Sequence, residues 1–296
     1  MSSVTLRCYA KVNLFLRVGP RRPDGYHEVR TVMQTISLHD RLTLRPRPDG
    51  AIILCDDPAV PTDERNLCAR AIAAIGARIG KPVGVEVRLT KRVPMGAGLG
   101  GGSSDAAATL AGLNALLGSP LSRTALREAG AEIGADVPFF LAGGAALATG
   151  VGERLTQLPS RATLWLVLAK PQTSMDTAEA YRLVDRVGAG ADGDEFAVAH
   201  GLETGDVGLI ASGLGNGFWP AVSQTVPEVA TLRTRLLEAG ALGACLTGSG
   251  TCVFGLFESA DAAERGADVV RSAAPFVASA AGVAVGHEAA DEESAP

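Results

Sequence analysis

Between Pro94 and Ala107 the sequence reads PMGAGLGGGSSDAA. Five of the seven positions from Gly96 to Gly102 are glycine: Gly96, Gly98, Gly100, Gly101 and Gly102. Glycine loses more backbone freedom on folding than any other residue, so such a run meets a need for unusual dihedrals or for close approach to the main chain. Ser103, Ser104 and Asp105 follow, and these are helix-starting residues. A glycine loop entering a helix offers unpaired N–H groups and the positive end of the helix dipole, a nest that suits phosphate. The plainer alternative is a crowded turn between helix and sheet. Five glycines in seven positions, directly before a helix start, favour phosphate.

Known phosphate motifs do not account for the run. Gly96, Gly98 and Gly101 fit G-x-G-x-x-G. That motif needs a strand after the helix with an acid at its end, and a second helical pattern follows here. No lysine follows the last glycine as in a P-loop, and the V-A-I-K lysine of protein kinases is missing.

Other residues carry chemistry of their own. Lys11 lies in AKVNLFL, where a cation within an apolar strand needs a partner. Asn13, two residues on, shares its face. Asp136 in GADVP could accept a proton from a hydroxyl, although a turn or helix-cap role before Pro138 reads better from the residues alone. Tyr26 and His27 close the turn RRPDGYHE and together offer an aromatic face and a ring with donor and acceptor nitrogens, which suits a nucleobase; PDG is also ordinary turn chemistry. The chain has 23 arginines and only four lysines, so each lysine is weighted toward a role that needs a compact ammonium.

The surrounding elements read as mixed α+β. VTLRCYA, NLFLRVG, VMQTISL and RLTLRP are strand-like, with turns at RRPDGYH and RPRPDG. DERNLCARAIAAIGARIG has helical spacing with Leu67, Ala71, Ala74 and Ile75 on one face. GVEVRLTKRVP alternates like a strand, SSDAAATLAGLNALLG and SRTALREAGAEIG read as helices, and ADVPFFLAGGAALATGVGE as a loop leading to a strand. A boundary is expected near TQLPSRAT, which gives domains at 1–157 and 158–286. Beyond it TLWLVLAKP, the two arms of ACLTGSGTCVFGLF, and FVASAAGVAVG are strands, and TAEAYRLVDRV, EVATLRTRLLEAG and ADAAERGADVVRSA are helices. The acidic end, 287–296, is expected to be frayed.

Composition narrows the function classes. A chain of 296 residues that is 47% hydrophobic and 20% charged is globular. A net charge of −5 without a basic block gives nucleic acid no electrostatic footing. Five scattered cysteines without C-x-x-C read as free thiols in a reducing compartment. Arg7, Lys11 and Arg17 interrupt the N-terminal segment, so it is no signal peptide, and no apolar stretch is long enough for a membrane span. A soluble cytoplasmic protein is expected.

The glycine segment resembles the second motif of the GHMP small-molecule kinases, in the GLGGGSS form of the branch whose alcohol carries a cytidyl group. AKVNLFLRVGPRRPDGYHEVRTVMQTISLHD (10–40), GADVPFFLAGGAALATGVGE (134–153) and LTGSGTCVF (246–254) are similar to that branch in the same order along the chain. The resemblance implies a ribosomal-protein-S5 domain 2-like N-terminal domain and a ferredoxin-like C-terminal domain. ATP and substrate meet in the cleft between them. It implies transfer of the ATP γ-phosphate to the 2-hydroxyl of a methylerythritol moiety in isoprenoid precursor synthesis, with a divalent metal, Mg2+, whose ligands stay undetermined. Lys11 and Asp136 become the catalytic pair, and Asn13, Tyr26, His27, Thr177 and Tyr181 the substrate site, the two tyrosines enclosing cytosine. Pro94, Gly96, Gly98, Leu99, Gly100, Gly101, Gly102, Ser103 and Ser104 hold nucleotide phosphate, with Asn66 at adenine and Lys91 within reach of the nucleotide. Gly248 and Gly250 buttress the phosphate loop. Asp105, unfavourable beside phosphate, is expected to point away and cap its helix. Another GHMP kinase, such as a homoserine or mevalonate-pathway enzyme, and a non-catalytic nucleotide or metabolite sensor on the same fold are the alternatives. The oligomeric state is left open.

Overall fold

The computed structural model describes residues 3–290. Two long strands, β1 (Val4–Arg21) and β2 (His27–Pro46), form one antiparallel hairpin closed by the expected Arg22–Tyr26 turn. The four short strand patterns are thus two continuous strands. Their irregularity survives as register shifts, at Tyr9/Ala10, Asn13/Phe15 and Val18/Arg21. At the first shift β2 takes two extra residues, Ser37 and Leu38, between Ile36 and His39. Leu6 and Cys8 pack under the helices, whereas Ala10, Val12 and Leu14 pack against the second sheet. Side chains alternate along a strand, so Lys11 and Asn13 are turned away from that second-sheet packing.

β3 (Ala51–Cys55) and β4 (Val85–Thr90) pair in parallel through the crossover helix α1 (Leu67–Ile79). Cys68, Ala71, Ile72 and Ile75 are its buried residues; Leu67 and Ala74 of the expected face are only partly buried. α2 (Gly101–Leu116) begins two residues before the expected Ser103, and α3 (Arg123–Ile133) is capped by Ser122. α2 is buried on nearly all sides, and its Gly112 lets the sheet close in: a Cβ there would lie 2.6 Å from Leu44 Cδ1. The segment after Asp136, expected as loop, forms the short helix α4 (Val137–Ala142), started by Pro138 in its first turn. β5 (Ala145–Thr149) and β6 (Arg154–Leu158) then form a hairpin that pairs with β2.

The second half starts with β7 (Trp165–Lys170) and α5 (Thr177–Val187). α6 (Glu195–Thr204), α7 (Val207–Gly213), the short β8 (Gly215–Asn216), α8 (Trp219–Thr225) and α9 (Glu228–Glu238) follow. β9 (Gly243–Leu246), β10 (Val253–Phe257), α10 (Ala260–Val270), β11 (Phe276–Ala281) and β12 (His287–Ala289) complete the described chain. The antiparallel order β11-β7-β10-β9 is ferredoxin-like, with the small helices inserted between its first two strands.

The expected boundary at 157/158 falls at the last residue of β6, and strands from beyond it return to the first sheet. β8 pairs with β1 in parallel, and β12 pairs with β1 in antiparallel register. The frayed end expected from 287 is corrected accordingly: His287–Ala289 form an edge strand, because Arg7 and Tyr9 on β1 hold Glu288 and the strand edge was open. Residues 291–296 lie outside the described residues. Leu14, Ile36, Leu168 and Phe254 belong to an apolar core shared by the two sheets, which fixes the walls of the cleft between the halves. All five cysteines are free, and four are buried. No helix among the described residues is long and apolar enough to cross a membrane.

Candidate active site

The glycine run turns into α2 at Gly100, which stands at the N-cap with φ 73° and no side chain to cap the helix. The first helical N–H groups have no intrahelical acceptor. Those of Gly101, Gly102 and Ser103 take no partner among the described residues. Gly96 and Gly98 also have positive φ. Their loop is sewn to the third motif: Thr251 N–H donates to the Gly96 carbonyl and Cys252 N–H to that of Ala97, both at 3.3 Å. A Cβ on Gly98 would stand 2.0 Å from the Thr247 carbonyl oxygen, and one on Gly248 2.9 Å from Gly98 Cα. The expected buttress by the Gly248–Gly250 turn is therefore a backbone-on-backbone contact that admits no side chain.

Lys11 is 4% exposed, and its ammonium faces three acceptors. Nζ donates to Asn13 Oδ1 at 2.6 Å and to the Gly98 carbonyl at 2.9 Å, and lies 3.8 Å from Asp136 Oδ2. Burial pulls its pKa below that of an ordinary lysine, and the Asp136 carboxylate works against that pull. Asp136 stands at the N-cap of α4 without making a side-chain cap bond, and about a third of its side chain is open to the cleft. Its plainer reading as a helix cap is thus not what its side chain does. Asn13 is held by Thr31, which accepts from Nδ2 at 2.7 Å, and by Thr247, whose hydroxyl accepts from the Asn13 backbone N–H at 3.1 Å.

One cleft of about 910 Å3 joins the glycine loop, this pair, and a second wall built by α5 and the β1–β2 turn. On that wall Tyr181 stacks on His27, with centroids 5.0 Å apart and 23° between the rings, and meets Phe218 edge-on. His27 Nδ1 donates to the Gly19 carbonyl at 2.9 Å. Its Nε2 lies 3.1 Å from Asp185 Oδ1, off the line of a hydrogen bond, and is closed from solvent. Burial and the nearby Asp136 push the Tyr181 phenol up to about 12. Tyr26 stands 65% exposed at the rim of the same cleft. Thr177 starts α5 and shares a 3.1 Å hydrogen bond with Ser249 of the third motif.

Two of the expected nucleotide residues have their side chains engaged within the fold. Asn66 is spent on structure: its Oδ1 accepts from Cys68 N–H at 2.9 Å as the cap of α1, and its Nδ2 donates to the Pro61 carbonyl at 2.7 Å. Lys91 lies beside the loop, but its ammonium is buried between Asp40 and Asp105. Asp105 is 3% exposed, with its carboxylate on Lys91. It makes no cap, because the helix starts earlier and Lys91 offers a counter-charge. Pro94, Leu99, Gly102 and Ser103 line the cleft, whereas Ser104 is fully buried with its hydroxyl unpartnered. The sequence reading missed Asp40, Asp185 and Thr247. Asp40, fully buried near the end of β2, carried a signal in its position within LHD after an apolar run; the other two became visible only through tertiary contact.

The profile described as GHMP kinases N terminal domain matches residues 66–144, and that described as GHMP kinases C terminal matches residues 198–275. The 4-diphosphocytidyl-2-C-methyl-D-erythritol kinase of Pelotomaculum thermopropionicum is 45% identical over 263 residues, covering 88% of this chain and 92% of the relative. The protein of the same name from Streptomyces coelicolor is 39% identical, covering 96% and 98%. A crystal structure of 4-(cytidine 5'-diphospho)-2C-methyl-D-erythritol kinase superposes with a TM-score of 0.80 at 36% identity, over 94% of this chain and 98% of that one. Homoserine kinase from Cytophaga hutchinsonii gives a TM-score of 0.77 over 98% of both chains, but at 23% identity the likeness is of fold alone.

Proposed function

Because the chain belongs to the GHMP kinase family, we propose that it transfers the γ-phosphate of ATP to the 2-hydroxyl of 4-diphosphocytidyl-2-C-methyl-D-erythritol, a step of the non-mevalonate isoprenoid pathway. The observation that carries this reading is the double attachment of Lys11: one ammonium touches the carbonyl of Gly98 in the glycine loop and faces the Asp136 carboxylate. Phosphate nest and proton acceptor are thereby fixed relative to each other, which is what phosphoryl transfer asks of a protein.

The triphosphate lies against the open N–H groups of Gly101, Gly102 and Ser103 at the positive end of α2. Asp136 accepts the proton of the attacking hydroxyl. Lys11 faces that carboxylate and, beside the loop, balances charge that develops on the transferring group. Asn13, locked by Thr31 and Thr247, orients the hydroxyl. The cytidyl group occupies the wall of His27 and Tyr181, and Tyr26 closes over it from the rim. Among the described residues no group of three His, Cys, Asp or Glu side chains could hold a metal ion. Mg2+, where it joins ATP in the cleft, would neutralise charge on the phosphates, a role that one or two protein oxygens beside the nucleotide suffice to hold.

A panel of alcohols, including homoserine, mevalonate and the cytidyl substrate, tested for ATP-dependent phosphorylation with the product located by phosphorus NMR, decides the matter. The expected result is a 2-phosphate on the cytidyl substrate alone. Preferred turnover of homoserine or mevalonate would replace the substrate, and ATP binding without transfer to any alcohol would make the protein a sensor.

A further inference from the structure

Beneath the glycine loop three charged side chains share a buried cluster. The Lys91 ammonium contacts Asp40 Oδ2 and lies 2.6 Å from Asp105 Oδ2. The side chains of Lys91, Asp40 and Asp105 are 7%, 0% and 4% exposed. Each carboxylate belongs to a different end of the loop. Asp40 Oδ1 accepts from the backbone N–H groups of Arg92 and Val93, at 2.6 and 2.8 Å, the two residues that lead into the loop. Asp105 sits on α2, where the loop has already become helix. The Lys91 backbone is itself pinned, donating to Asp56 Oδ1 at 2.9 Å.

A buried ion cluster is poor evidence for stability, since desolvation offsets most of its attraction. Its effect lies in geometry. A loop with five glycines in seven positions has much freedom to lose on meeting a ligand, and fixing it beforehand raises affinity by lowering that loss. We propose that Lys91 is a positioning residue: through Asp40 and Asp105 it holds the entry and the exit of the glycine loop at the spacing its N–H groups need to receive a triphosphate. The inference rests on the kinase reading above for the nature of the anion. It replaces the direct nucleotide contact expected from the sequence, because the ammonium is already spent on two carboxylates.

The test measures binding of ATP and of inorganic tripolyphosphate, and separately of the cytidyl substrate, to the full chain and to Lys91→Met and Asp105→Ala. Asp105→Ala keeps Lys91 balanced by Asp40, so it tests the tie even where Lys91→Met, with two carboxylates left uncompensated, fails to fold. The expected result is a loss of about tenfold or more for ATP and tripolyphosphate alike, with the cytidyl substrate bound as in the parent protein. Simple electrostatics predicts the opposite sign for Asp105→Ala, because deleting an anion near the loop would tighten ATP. Unchanged or tighter ATP binding in Asp105→Ala overturns the proposal. So does a Lys91→Met loss confined to ATP, which would make Lys91 a contact to the nucleoside. If the parent protein binds ATP but phosphorylates no alcohol, the reaction reading fails while this comparison still decides the role of Lys91; a parent protein that binds neither ATP nor tripolyphosphate overturns both.

Discussion

Lys11 and Asp136 come from strand β1 and from the start of α4, 125 positions apart in sequence, yet the ammonium lies 3.8 Å from the carboxylate. The same ammonium bonds the Gly98 carbonyl at 2.9 Å, so the pair is measured against the phosphate loop and not only against itself. Asp136 leaves part of its carboxylate free in the cleft, which is the open valence a proton acceptor requires.

Replacing that carboxylate by an amide should abolish its basicity while keeping its size. Asp136→Asn is expected to fold normally, to bind ATP within about twofold of the parent and to lose about 10²–10⁴-fold in kcat. Turnover near the parent level in a preparation verified by mass would remove Asp136 from the chemistry.

Much of this arrangement was legible before any coordinates, and the parts that were not have a common cause. The glycine run and the helix after it are local patterns, and they survive folding nearly as read, whereas the Asp136 segment, read as a loop, closes into the short helix α4. Lys11 looked out of place in an apolar strand because both of that strand's faces are buried: Ala10 and Val12 pack against the second sheet, and Lys11 and Asn13, alternating with them, meet partners that only the fold brings near, Gly98, Asp136 and Thr31. Motif position says where a residue is and not which neighbours have already claimed it, and Lys91 is held by Asp40 and Asp105, Asn66 by Cys68 and Pro61. The edge strand at His287–Ala289 was hidden because pairing to β1 depends on an edge left open some 280 residues earlier.

The glycines of the loop should separate by role. Gly100 has φ 73°, and a Cβ there would meet Phe140 Cζ at 2.7 Å, so Gly100→Ala should lower the melting temperature as well as ATP affinity. Gly102 is helical, and its Cβ would meet only Leu67 Cδ1 at 3.8 Å, an ordinary contact. Gly102→Val should therefore melt close to the parent but weaken ATP by about tenfold or more, because the side chain stands where phosphate approaches the N–H groups. Calorimetry with each ligand checks this; equal losses for ATP and the cytidyl substrate would mean that the loop supports the fold and not the phosphate.

Nucleotide affinity should vary with pH around neutrality. Burial, reinforced by Asp40, raises the Asp105 carboxyl to about 7, against the opposing pull of Lys91. The groups facing it are Lys91 after β4, Asp40 on β2, Cys8 on β1 and Cys68 on α1. Ionising Asp105 strengthens its pairing with the Lys91 ammonium, and with it the tie that sets the loop. The KM for ATP should therefore fall about threefold to tenfold between pH 6 and pH 8.5, and Asp105→Asn, which keeps an oxygen for Lys91 but no charge, should flatten that fall. Folding stability follows the same group: its raised value favours the fold below 3.8, and that contribution is lost as pH rises from 3.8 through about 7. A parent profile as flat as that of Asp105→Asn would refute the assignment.

The last expectation concerns the choice of substrate. His27 is fixed by Gly19 and faced by Asp185, and its ring carries Tyr181 on one side. That wall is rigid, whereas Tyr26 at the rim is free to close on a base. Stacking one base on one aromatic ring is worth roughly 1–3 kcal/mol in nucleic-acid systems, so Tyr26→Ala and Tyr181→Ala should each lower kcat/KM for the cytidyl substrate by about 5- to 150-fold while leaving ATP affinity unchanged. Stacking accepts any base, so the choice of cytosine must come from polar atoms at its edge, which points to the backbone around His27, since the ring nitrogens of His27 are turned to Gly19 and Asp185. His27→Ala, which removes the ring that seats that backbone against Gly19, should narrow the preference for the cytidyl over the uridyl analogue, and the base contacts, remote from the reacting hydroxyl, should serve turnover as well as binding. Methylerythritol phosphate, which lacks the base, should then be a very poor substrate. Steady-state kinetics on the three compounds decides it: if the base-free alcohol reacts as efficiently as the full substrate, the His27–Tyr181 wall binds no cytosine and the family's other alcohols become the better candidates.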